Sequence, residues 1–87
     1  MNTFRLIVSS PDGTTFDGEA VLLTVRGVAG ELAVMAGHAP FVTSVVACDC
    51  KVGLADDTDR LAHTDGGLLS VAHDRVTLLS GSFHWLE

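Results

Sequence analysis

Four histidines, two cysteines and eleven carboxylates are the side chains of this sequence whose chemistry extends beyond packing. His38 has the makings of a general base, because imidazole changes charge near neutrality. No serine or cysteine nucleophile with an orienting acid can be placed beside it. The plainer reading is that His38 hydrogen-bonds loop backbone and fixes the turn before Pro40. His38, His63, His73 and His84 are scattered along the chain, without the paired spacing of a zinc site, and Cys48 and Cys50 lack a second pair. Asp56-Asp57-Thr58-Asp59 lacks the following glycine and bidentate glutamate of a calcium loop, so it reads as a solvated acidic turn. Gly27-Val28-Ala29-Gly30 has neither a Gly-Lys-Ser/Thr continuation nor a helix whose amino end would hold a phosphate. These residue types and spacings predict no catalytic residue, no metal site and no cofactor.

Glu31 is the remaining charged residue of note. It is the sole formal charge between Gly27 and Cys48. A lone carboxylate among glycine and alanine is either solvated or a contact for a partner's polar loop; the residues alone favour solvation. It belongs to a stretch with two loops, one bracketed by Gly27 and Gly30 and one formed by Gly37-His38-Ala39-Pro40. They flank a short strand, Leu32 to Met35. Glycine permits positive φ and close backbone approach, and Pro40 fixes its own φ and keeps Ala39 out of the helical region.

The elements that must hold this stretch are strands. Leu32 to Met35 and Phe41 to Ala47 are too short and too β-branched for helices. Phe4, Leu6 and Val8 share one face of a first strand. Pro11-Asp12-Gly13 turns it into Thr14-Thr15-Phe16, and Gly18 allows a bend before Ala20 to Val25. Val21 to Leu23 is apolar on both sides, as expected for a sheet whose outer face is partly covered by a partner. Cys48 to Val52 extends the strand from Phe41, with Cys48 and Cys50 on one face as free thiols. Asp56 to Asp59 forms a hairpin tip, and Arg60 to Thr64 returns from it. Asp65-Gly66-Gly67 reads as a turn; Leu68 to Ala72 and Arg75 to Leu79 then pair about His73-Asp74. The expected fold is all-β: a single small β-sandwich of about nine or ten short, mostly antiparallel strands over residues 1–82, with 83–87 as a terminal tail.

Composition bounds the partners. At 87 residues, 47% of them hydrophobic and 18% charged, the chain makes one folded domain with a stability margin on the order of 5 kcal/mol. The net charge of -6 and five dispersed basic residues exclude a nucleic-acid or anionic-lipid footprint. The start of the chain lacks the basic-then-apolar pattern of a secretory signal. Gly37, His38 and Pro40 interrupt the longest uncharged run, so no direct membrane insertion is expected.

The order Gly27-x-x-Gly30-Glu31-Leu32-x-Val34, then Gly37-His38-Ala39-Pro40-Phe41-x-Thr43, resembles the epsilon subunit of F-type rotary ATP synthases (delta in mitochondria). Phe4 to Gly13, Phe16 to Glu19, Gly66 to Val71 and Val76 to Leu79 extend the resemblance over nearly the whole chain, in family order. It covers the amino-terminal β-sandwich only, without the family's carboxy-terminal helical hairpin. The segment Cys48-Asp49-Cys50 replaces a glycine usual in the family. The resemblance implies a non-catalytic central-stalk subunit at the cytoplasmic face of the membrane, joining the gamma shaft to the c-ring, with no nucleotide site because that site belongs to the helical region. It places Gly30, Glu31, Gly37, His38, Ala39 and Pro40 at the c-ring, and a sheet face or edge with Val21, Leu22, Leu23, Leu78 and Leu79 at gamma. The rival reading is a free-standing β-sandwich adaptor or a His/Cys metal sensor.

Overall fold

A computed structural model describes residues 2–86. Met1 and Glu87, the outer ends of the expected domain and tail, lie outside the described residues. Seven strands and no helix occur among the described residues: β1 (Phe4–Ser10), β2 (Gly13–Gly27), β3 (Gly30–Val34), β4 (Phe41–Leu54), β5 (Asp59–Val71), β6 (Arg75–Ser80) and β7 (Phe83–Trp85). β1 shows why the sequence folds this way. Phe4, Leu6 and Val8 are buried while Arg5 is exposed, the period of two that a strand imposes when one face is covered.

Three strands are long, β2 with 15 residues, β4 with 14 and β5 with 13, and each serves two layers. The first part of β2 pairs with β1 and its second part with β3 and β4. β5 pairs with β4 along its length. Its other edge pairs with β7 at Ala62 to Thr64 and with β6 from Gly67 to Val71. One layer therefore runs β3-β2-β4-β5-β7 and the other β2-β1-β6-β5-β4, the β1–β6 pair being parallel. The fold is the expected all-β sandwich. Its short segments are joined into seven strands because the predicted breaks near Gly18, Ala47 and Gly66 are bends within strands.

Asp65-Gly66-Gly67 is the clearest case. The sequence predicts a turn there, but β5 continues through it, with Gly66 at φ +108°. The backbone bends as β5 exchanges β7 for β6. Thr64 and Ser80, both buried, join hydroxyls across the bend at 2.6 Å, and the amide of Gly66 donates to Thr64 Oγ1. Asp65 accepts from the Ser82 amide at 2.8 Å. The segment expected as a terminal tail carries β7, with Phe83 buried and Trp85 edge-on to both Phe83 and Phe16. Arg60 lies over the Trp85 ring, 3.8 Å from its centroid.

Inward residues of both layers make one core that includes Leu6, Leu23, Leu69, Leu78, Val34 and Val52. Each buried leucine contributes about 1.5–3 kcal/mol. Cys50 is part of this core, and burial, then the neighbouring Cys48, push its thiol up to about 12. It is a packing residue rather than a nucleophile.

A Cβ on Gly67 would drive into the carbonyl oxygen of Leu79 on β6. Gly67→Ala is expected to cost about 1–3 kcal/mol or more, from overpacking and local strain. Urea denaturation of the variant beside the parent checks this, and an unchanged midpoint would mean that the bend can widen freely.

Candidate functional site

The β2–β3 hairpin closes on the pair Gly27–Gly30 around the turn Val28-Ala29. Gly30 has φ +130°, and nothing within 4 Å would meet an added Cβ. It is required there by conformation rather than by internal crowding. Val28, 71% exposed, forms the tip. Glu31 belongs to β3 rather than to a loop. It pairs with Arg26 across the hairpin at 3.8 Å, and its side chain is 80% exposed. A pair this long and this exposed contributes little to stability, so the carboxylate remains available to a partner.

The second loop, 35–40, turns on the His38 amide, which donates to the Met35 carbonyl. The His38 ring packs 5.5 Å from that of Phe41. Gly37, His38, Ala39 and Pro40 are exposed. The two loops leave opposite ends of β3, four residue steps or about 13 Å apart. They flank this short strand, as the sequence predicts.

The ladder between β2 and β4 opens beside the hairpin. The register passes from Thr24↔Lys51 to Gly27↔Val45, so two residues of β2 face five of β4. The Arg26 amide donates to Cys48 Sγ at 3.3 Å in place of a ladder bond. The result is an open cleft of about 340 Å³ lined in part by Arg26, Glu31, Cys48 and Asp49. The irregularity falls on the segment where the sequence departs from its resemblance by losing a glycine.

The two outer faces of the sandwich differ. Val42, Val46, Leu68 and Leu79 are all exposed on the outside of β4, β5 and β6. Leu68 faces Leu79 on one side and Ser44 on the other. Ser70 and Thr77 are paired beside them. This area has no charge. Charge gathers at the far end of the layer, where Arg5, the cross-strand partner of the exposed Arg75, makes a two-pronged pair with Asp17 at 2.8 and 2.9 Å and holds its carboxyl below the usual range. The outside of the other layer is mainly polar, with Arg26, Glu31, Asp49, Lys51 and His63, and Leu61 exposed opposite Lys51.

These positions sort the apolar residues expected at a surface contact. Leu23 and Leu78 are wholly buried, Val21 and Leu22 are half-buried, and Leu79 is 50% exposed. Leu23 and Leu78 are core and cannot meet a partner without unfolding. Val42, Val46 and Leu68 were missed because hydrophobic residues near Leu69 and Val45 look alike in sequence. Strand alternation around those buried neighbours is the signal that separates them. No three or more His, Cys, Asp or Glu side chains converge on a metal-sized site among the described residues.

Residues 3–86 match the family model described as ATP synthase, Delta/Epsilon chain, beta-sandwich domain. Among similar proteins, an ATP synthase epsilon chain of Clostridium perfringens is 30% identical over all 87 residues, which span 65% of its length. One from Exiguobacterium is 35% identical over 80 residues, 92% of this chain and 59% of that one. The chain thus spans about three-fifths of these relatives. Among solved structures, a chain of the Euglena gracilis mitochondrial ATP synthase, OSCP/F1/c-ring, superposes with a TM-score of 0.90 at 19% identity, over 95% of this chain and 53% of that one. A chain of the Tetrahymena thermophila mitochondrial ATP synthase central stalk/c-ring gives 0.78 at 11% identity, over 95% of this chain and 66% of that one. At such identities these two likenesses speak to the fold.

The contrast between Leu78 and Leu79 is testable. Leu78→Ala should cost about 2–5 kcal/mol, whereas Leu79→Ala should stay within about 1 kcal/mol. Thermal melts of the two variants measure this, and equal losses would place Leu79 in the core.

Proposed function

The chain belongs to the delta/epsilon family of ATP synthase as its β-sandwich domain, and from that membership we propose that it is a non-catalytic part of the rotor. It joins the gamma shaft to the c-ring at the cytoplasmic face of the membrane, in a proton- or sodium-translocating synthase. No bond is made or broken in it; nucleotide chemistry belongs to the catalytic head. Family membership favours this reading over the free-standing adaptor and the metal sensor.

The observation that carries the proposal is the division of the surface. Torque transfer needs a rigid body with two separate contacts. A wide uncharged face built from Val42, Val46, Leu68 and Leu79 suits a packed apolar contact, while the hairpin tip at Val28 to Glu31 suits a small, register-fixing polar one. We assign the tip to the c-ring and the apolar face to gamma. The 37–40 loop, which leaves the far end of β3 and leads into β4 at Phe41, is assigned to the c-ring together with the tip. The sandwich supplies rigidity because three strands are shared by both layers.

Glu31→Lys should weaken ATP-driven ion pumping in membrane vesicles while leaving the melting curve of the isolated domain unchanged. A carboxylate hydrogen-bonded at a desolvated contact contributes about 1–3 kcal/mol. Pumping at the parental rate would remove Glu31 from the contact, and a collapsed melt would make it structural. Leu79→Glu is the matching test of the apolar face. It should abolish co-purification with gamma while keeping the fold, and undiminished co-purification would move the shaft contact elsewhere.

A further inference from the structure

The mainly polar outer face holds a side-chain row that the rotor reading does not use. Asp49 on β4, His63 on β5 and His84 on β7 are cross-strand partners in one line, Asp49↔His63 and His63↔His84. His63 Nδ1 lies 2.8 Å from Asp49 Oδ1. The His63 and His84 ring centroids are 5.6 Å apart, with the planes at 43°. His84 is exposed, and the His63 side chain is 39% exposed, so solvent reaches both.

From this arrangement we propose that His63 and His84 bind a transition-metal dication of the Zn²⁺, Ni²⁺ or Cu²⁺ class, with Asp49 orienting His63. An ionised carboxylate only accepts, so the proton of a neutral His63 ring lies on Nδ1 and points at Asp49. Its Nε2 lone pair is then free for a metal. A carboxylate that fixes the tautomer of a histidine and raises its basicity is the usual outer partner of a metal-bound imidazole. The ring spacing agrees. With metal–nitrogen bonds of about 2.0–2.1 Å and a near-tetrahedral angle, two imidazole centroids lie about 5 Å apart, which a small rotamer adjustment from the observed pair reaches. Two imidazoles leave the remaining coordination positions to water. The chain's net charge of -6 favours cation uptake.

The site has a mechanical consequence. β7 is a short edge strand that pairs with β5 at three residues, Phe83, His84 and Trp85. An ion on His63 and His84 would clamp this strand, which carries Phe83 and Trp85 into the core edge, to the body of the sandwich.

The experiment is titration of the whole chain with ZnCl₂ and NiCl₂, then CuCl₂, in a non-chelating buffer. It is followed by calorimetry, imidazole ¹⁵N spectra and amide exchange. One ion should bind per chain, shifting ring nitrogens of His63 and His84 and slowing exchange in β7, with Cu²⁺ tighter than Zn²⁺. His63→Gln or His84→Gln, each an exposed-side replacement, should abolish this. Asp49→Asn should weaken it by about 10–100-fold, and Cys48→Ser should leave it unchanged. Absence of saturable binding would overturn the proposal. So would binding that survives the double His63→Gln/His84→Gln change or disappears in Cys48→Ser. An effect of Asp49→Asn no larger than that of a distant Asp56→Asn would remove Asp49 from the site.

Discussion

The bend of β5 at Gly66-Gly67, sealed by the hydroxyl pair of Thr64 and Ser80, is the constraint on which the rest of the sandwich depends. β5 pairs with β4 throughout, yet its other edge must be given first to β7 and then to β6. A straight strand cannot serve two layers. Where the edge changes hands, ladder bonds are lost, and buried donors and acceptors without partners are costly. Thr64, Ser80, the Gly66 amide and Asp65 supply replacement bonds. Among the described residues no buried side-chain nitrogen or oxygen lacks a partner. The bend also aims the alternation, with Leu69 and Val71 facing the core in one layer and Ala62 and Thr64 in the other.

Closure of the layers leaves two outer surfaces with opposite chemistry. The face over β4, β5 and β6 is apolar and hydroxyl-bearing, without charge where Val42, Leu68 and Leu79 meet solvent. Large exposed side chains gathered on one face, rather than scattered singly, are what distinguishes a contact surface from ordinary surface composition. The opposite face carries the cross-strand Arg26–Glu31 ion pair and the hydrogen-bonded Asp49–His63 pair. The proposed rotor function gives this division a use. Apolar area gives a broad, non-directional grip, while a single carboxylate such as Glu31 fixes register more than affinity.

The opening between β2 and β4 links local sequence to this second surface. Loss of the ladder around Cys48 puts Arg26, Glu31 and Asp49 around one cleft. Asp49 also turns outward to His63, so the β4 segment that departs from the family's glycine pattern supplies groups both to the hairpin side and to the histidine row. Bulged strands recur where a side chain must be re-aimed.

Much of the fold was legible in the sequence, because its information is local. Phe4, Leu6 and Val8 alternate visibly, Pro11-Asp12-Gly13 turns by its own backbone preferences, and the Glu31 context carries the family resemblance. Gly66-Gly67 was legible as a break in regular strand but not as its kind. Positive φ permits either a reversal or a bend, and only the partners waiting on β6 and β7 decide which. The same limit hid the surface. Leu78 and Leu79 are equally apolar, and burial of one and exposure of the other follow from the face to which pairing with β1 and β5 turns each. It also hid the histidines. His63 and His84 are 21 positions apart in sequence, with no spacing that marks a ligand pair. β7 places them directly opposite each other. Hydrophobic period and turn chemistry are properties of neighbours along the chain, and so the sequence alone determined the strands. Register, the choice of face and the meeting of distant side chains are properties of neighbours across strands, and the tertiary structure alone decided them.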